Sequence, residues 1–115
     1  MAMLGAAGCG GEDRGQGGTL LTLTFGPDES GGLRPLIDGF NKENKGEIRV
    51  QWRGAPALSD EYFDQIRTEL QSGSANMDVI AGDVIWPAQL AAAGHILDLS
   101  DRFTLDMRSK YLEAP

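Results

Sequence analysis

Five side chains in this 115-residue chain share a chemistry: Asp28, Glu29, Arg53, Asp83 and Trp86. Each lies at the end of, or just beyond, a segment that reads as a strand, so a common sheet edge could bring them together. Carboxylate and guanidinium groups make charge-assisted, often bidentate bonds to vicinal hydroxyls, and an aromatic ring covers the apolar face of a sugar. The set therefore suits a polyhydroxylated ligand. Each residue also has a plainer reading. Asp83 could cap a helix, Trp86 could anchor a core, Arg53 could pair with a surface acid, and Asp28 or Glu29 could serve a turn. Two carboxylates also fit a glycosidase, which needs an acid and a base flanking the scissile bond, and spacing along the chain does not fix their separation.

Other chemistries are excluded on residue types. Gly26 and Gly31 have the spacing of a phosphate loop, but Gly32-Leu33 stand where Lys-Ser/Thr would be needed, and Asp28 and Glu29 repel an anion. No GxGxxG follows the first strand. The sole histidine, His95, has no second His and no downstream Cys to complete a metal or nucleophile site, and reads as a turn residue. No metal or cofactor is expected.

Cys9 is the only cysteine, which excludes an internal disulfide. It follows Leu4-Gly5-Ala6-Ala7-Gly8 and precedes a glycine-rich stretch to Gly18, an arrangement that resembles a bacterial lipobox with a flexible tether. No Lys or Arg precedes the apolar run, and Ala6 stands where that pattern most often has Leu. A chance cysteine in a low-complexity leader is the alternative. Residues 1–18 are expected to be a residual export signal and tether, and 19–115 the folded part.

The elements that must position the five side chains follow from periodicity. Thr19 to Phe25 is β-branched and aromatic between glycines, a buried strand. Leu33, Leu36, Ile37 and Phe40 fall at i, i+3, i+4 and i+7 and predict a helix, with Pro35 tolerated in its first turn. Glu47 to Arg53 is a second strand. Ser59 is expected to cap a helix whose Tyr62, Phe63, Ile66 and Leu70 share a face and which ends at Gly73. Met77 to Gly82 is a third strand, and Trp86, Leu90 and Ala93 mark a third helical face stopped by Gly94. Ile96 to Leu99 is a short apolar return, and Asp106 to Leu112 could begin another helix. Alternating strands and helices predict an α/β fold with a parallel sheet and flanking helices. Ligands of such sheets bind beyond the carboxyl ends of the strands at a topological switch point. The loops Gly26–Gly32, Arg53–Leu58 and Gly82–Pro87 should therefore open on one edge.

Charge narrows the partners. Seventeen acids against ten bases give a net charge of -7, and the bases are scattered, so nucleic acid is not an expected partner. The 41% hydrophobic share is that of a folded domain. No run of 18 apolar residues exists to span a bilayer.

The ordered set of motifs resembles the extracellular solute-binding proteins of ABC importers, family 1, in particular the trehalose- and maltose-binding branch. The resemblance runs from Leu20 to about Phe103. It is carried by the strand before Gly26-Pro27-Asp28-Glu29, by Phe40-Asn41-Lys42-Glu43-Asn44, by Glu69-Leu70-Gln71-Ser72-Gly73, and above all by Met77-Asp78-Val79-Ile80-Ala81-Gly82-Asp83-Val84-Ile85-Trp86 leading to Ala93-Gly94-His95-Ile96-Leu97-Asp98-Leu99. It implies a periplasmic-binding-protein-like (type II) first lobe, incomplete here, in a non-enzymatic protein that closes on a sugar and hands it to ABC permease subunits outside the cell. By position, Glu29 and Asp83 match first-lobe acids that contact sugar, with Asp28 assisting. Gly54 stands where some relatives place a basic contact, with Arg53 adjacent, and Trp86 is shared with close relatives. Cys9 would carry the lipid that holds the protein at the membrane. Because relatives continue into a second lobe, the chain is expected to be a truncated reading frame that binds sugar weakly or not at all alone and leaves apolar surface uncovered. A ligand-presenting partner of a surface sensor is the alternative role.

Overall fold

The computed structural model describes residues 18–73 and 76–111. Cys9, most of the tether and the end of the last expected helix lie outside them. The elements run β1 (Thr19–Phe25), α1 (Leu33–Glu43), β2 (Ile48–Gly54), α2 (Ser59–Gln71), β3 (Val79–Ile80), α3 (Pro87–Ala92) and α4 (Leu105–Arg108). The three strands form one parallel sheet in the order β2-β1-β3. The expected α/β architecture is therefore present, and β1 is central because its neighbours arrive from opposite sides.

Register separates the two sheet faces. Thr24 pairs with Arg53 and Ile80, while Leu23 pairs with Trp52 and Val79. Alternation then puts the first trio on one face and the second on the other. Arg53 meets α2 through Glu69, and Trp52 meets α1 through Arg34, whose guanidinium carbon lies 5.5 Å from the indole centroid. The core forms on the α2 face, where Tyr62, Ile66, Trp86 and Leu90 are buried against Phe63, Leu70 and Ile80. Along the outer edge of β2, Asn41 of α1 donates to the Val50 carbonyl at 2.8 Å and accepts from the Val50 amide at 2.7 Å. A side chain thus blunts an edge that would otherwise present unpaired backbone.

Three boundaries differ from the sequence expectation for local reasons. Strand β3 has two residues rather than the six from Met77 to Gly82. The Asp78 carboxylate accepts the Thr22 amide at 2.7 Å, so a side chain occupies a place in the ladder that a β3 carbonyl would otherwise take. Ser59 is the first residue of α2 rather than its cap; Leu58 holds the cap position and no side chain bonds the free amides. Helix α4 is a single turn from Leu105, with the Thr104 hydroxyl accepting from Met107. Ile96 to Leu99 is irregular and does not join the sheet.

Candidate functional site

At a 2-1-3 strand order the chain reverses direction across the sheet beside β1, and the crevice this leaves lies between the carboxyl ends of β1 and β3. A hollow of about 450 Å³ occupies that place. All three loops singled out from the sequence reach it: Gly26 and Pro27 from the first, Pro56 and Ala57 from the second, Gly82 and Asp83 from the third. Three aromatic residues, Phe25, Tyr62 and Trp86, are among those that line it.

Tyr62 is a member of this site that periodicity assigned only to a helical core face. Its hydroxyl lies 2.9 Å from the Thr24 carbonyl and 2.8 Å from the Ala81 carbonyl, so one proton serves two acceptors at the ends of β1 and β3. The Ala81 amide also donates to the Thr24 carbonyl at 2.9 Å. These bonds fix the spacing of the two strand ends from which the Gly26 and Gly82 loops depart. Burial raises the Tyr62 pKa, the nearby Arg53 charge opposing it, so the hydroxyl keeps its proton for this task. A tyrosine on an apolar stripe gives no sign of this in sequence, because the partner carbonyls come from other elements.

Trp86 lies across the site's base at 6% exposure, edge-on to Tyr62 with centroids 5.2 Å apart and tilted against Phe63 at the same separation. The core-anchor reading accounts for most of its surface, while part of the ring borders the hollow. Gly82 is required by this packing: a Cβ there would stand 2.7 Å from the indole Cε3. The bare backbone lets the ring tuck beneath the loop that carries Asp83.

Asp83 borders the hollow and is exposed. It does not cap α3, whose cap position is Trp86; its carbonyl accepts from the Trp86 amide at 3.1 Å and its carboxylate from the Ile85 amide at a long 3.4 Å. That one long bond leaves most of its acceptor capacity unused. Asp28 is differently employed. Its carboxylate accepts from the Ser30 hydroxyl at 2.6 Å, the Ser30 amide at 3.1 Å and the Leu33 amide at 2.6 Å. It therefore folds the first loop and satisfies a free amide of α1, whose own cap residue, Gly32, has no side chain to do so. The Ser30 hydroxyl, then the Leu33 amide, hold its pKa below the ordinary value. Glu29 is exposed on the same loop.

Arg53 stands apart from the hollow. Its two terminal nitrogens grip Glu69 of α2 at 2.7 and 2.5 Å, and Gln65 adds a bond to the same carboxylate at 3.0 Å. The Arg53 hydrogen bonds, then that of Gln65, bring Glu69 down to about 2. This fork clamps β2 to α2. His95 likewise acts through backbone: its amide donates to the Leu90 carbonyl at 2.9 Å while the Gly94 amide donates to Ala91, closing α3 in a Schellman turn with Gly94 at φ +73°. Among the described residues no three His, Cys, Asp or Glu side chains gather as a metal site needs.

A parallel sheet with a crevice at its switch point is the architecture of an α/β module. The family model for bacterial extracellular solute-binding proteins matches residues 26–114, which include all three loops, and the chain belongs to that family. Its sheet and helices are consistent with part of a periplasmic-binding-protein-like lobe. Members of such a family bind solutes outside the cytoplasm for ABC transport and are generally not enzymes. No solved structure matches the chain.

Proposed function

We propose that residues 19–115 form the amino-terminal part of a carbohydrate-binding lobe, which takes up a di- or oligosaccharide of the trehalose or maltose kind for an ABC permease. The observation that carries this reading is that an exposed carboxylate, Asp83, lines one crevice together with Tyr62 and Trp86. A sugar presents hydroxyls around its rim and C–H groups on its faces, and this pairing of surfaces answers both. Glu29, exposed on the first loop, is the second acid within this reading, with Asp28 shaping that loop. The Arg53 guanidinium is committed to Glu69, so its part is to hold β2 and α2 in place. Lipid attachment at Cys9, on the outer side of the membrane, completes the proposal.

Titration with trehalose and maltose, followed by tryptophan emission and amide chemical shifts, tests it. The crevice is open to solvent along one side, so binding is expected to be weak, with Kd roughly in the millimolar range. Asp83→Asn should weaken it about tenfold, the worth of a charge-assisted hydrogen bond, and Glu29→Gln, whose carboxylate does not border the hollow, should weaken it less. Shifts that fail to saturate, or that leave Gly82, Asp83 and Trp86 untouched, would refute the carbohydrate reading.

A further inference from the structure

We propose that the crevice sorts solutes by charge, admitting neutral polyhydroxy compounds and their amine-bearing analogues while rejecting phosphorylated or carboxylate-bearing ones. The inference rests on the carbohydrate reading and narrows it.

No Lys, Arg or His borders the hollow among the described residues, and Asp83 is the one carboxylate that does. Two bases on the elements around it are engaged elsewhere. Arg53 is spent on Glu69 against the α2 face, and Arg34 lies over Trp52 on the opposite face of the sheet. Asp28 and Glu29 add negative charge to the first loop, and the Ser30 and Leu33 bonds keep Asp28 ionised.

One feature opposes this field. Helix α2 begins at Ser59, which borders the hollow, and no side chain caps its amides. An uncapped helix start attracts anions with the equivalent of about half a positive charge. Asp60 and Glu61 fill the first turn of α2, so two full negative charges stand against that half charge. The balance at the crevice is negative.

A sugar phosphate, carrying nearly two negative charges near neutral pH, would enter beside Asp83 with no guanidinium or ammonium group to meet it. An ammonium on the same sugar frame, with one positive charge, is attracted where the phosphate is repelled. Hydroxyl groups feel neither effect, so the neutral sugar lies between them.

The test compares trehalose, its 6-phosphate and its 6-amino-6-deoxy analogue, each titrated into the full chain by amide chemical shift at roughly 20 mM and roughly 500 mM salt, on either side of effective screening. The phosphate is expected to bind about tenfold or more weakly than trehalose at low salt, and the amine at least as tightly as trehalose. High salt and Asp83→Asn should each narrow the phosphate gap several-fold. Glu29→Gln, on a different loop, should narrow it less. Equal or tighter binding of the phosphate overturns the proposal while leaving the carbohydrate reading intact. So does a gap that neither salt nor Asp83→Asn changes, because exclusion by shape would then be its cause. If none of the three sugars binds, the carbohydrate reading fails and takes this inference with it.

Discussion

The two faces of the sheet carry helices written in the same pattern, yet only one face has a core. Leu33, Leu36, Ile37 and Phe40 of α1 and Tyr62, Phe63, Ile66 and Leu70 of α2 both make an apolar stripe at helical spacing. On the α2 side Ile66 reaches 0% exposure, because Trp86 and Leu90 close over the helix. On the α1 side no helical residue is buried and Leu36 remains 72% exposed. The strands invert the simplest expectation as well. The α1 face holds Leu21, Leu23, Trp52 and Val79, whereas the α2 face, beside Leu20 and Ile80, holds Thr22, Thr24, Gln51 and Arg53. Burial therefore follows the number of layers that meet at a face and not the apolarity of the strands beneath.

Substitutions on the two faces test this contrast. Ile66→Ala has the largest expected effect, a loss of about 3 kcal/mol in urea unfolding, because a wholly enclosed side chain leaves a cavity. An equal loss from a residue on the α1 face would erase the distinction. Thr24→Val should act in the opposite direction. Thr24 is fully buried and its hydroxyl has no partner among the described residues, so a methyl group of the same shape should add about 1 kcal/mol. A destabilised Thr24→Val protein would mean that the hydroxyl makes a bond.

The clamp between β2 and α2 gives a smaller, pH-dependent contribution. Glu69 titrates at about 2 in the folded chain against an ordinary value of 4.5, so its stabilisation is complete above 4.5 and is lost as pH falls toward 2. Both partners are partly solvated, which limits the contribution to about 1 kcal/mol. Glu69→Gln should flatten that segment of an acid unfolding profile. Smallest of all, Leu36→Ala should cost about 0.5 kcal/mol or less, the range of a substitution outside a packed core. A cost near that of Ile66→Ala would show that α1 is packed in solution.

Much of the candidate site was legible because it depends on strand ends. The three loops that follow the strand ends do converge, and of the five side chains placed there Asp83 and Trp86 line the crevice while Asp28, Glu29 and Arg53 do not. Their individual tasks were not legible. Arg53 lies one residue before the end of β2, close enough to the crevice by sequence, but strand alternation turns it toward Glu69, sixteen residues on and one helix away. Asp28 has the right type and place for a ligand, yet the α1 amide that it satisfies becomes a neighbour only once the turn has formed. The role of Tyr62 is not legible in sequence because its acceptors, the Thr24 carbonyl of β1 and the Ala81 carbonyl just past β3, meet only in the sheet.

Local sequence pattern was enough for the order and kind of elements, the helix stops at Gly73 and Gly94, and the sheet edge on which the three loops open. These depend on periodicity and on backbone freedom, which are local. Only the tertiary structure decided which of two equivalent helical stripes would be buried, which acid would keep its oxygens free, and which base would be withdrawn from the crevice. Those outcomes depend on strand order and register, and these bring together groups that the chain itself holds far apart.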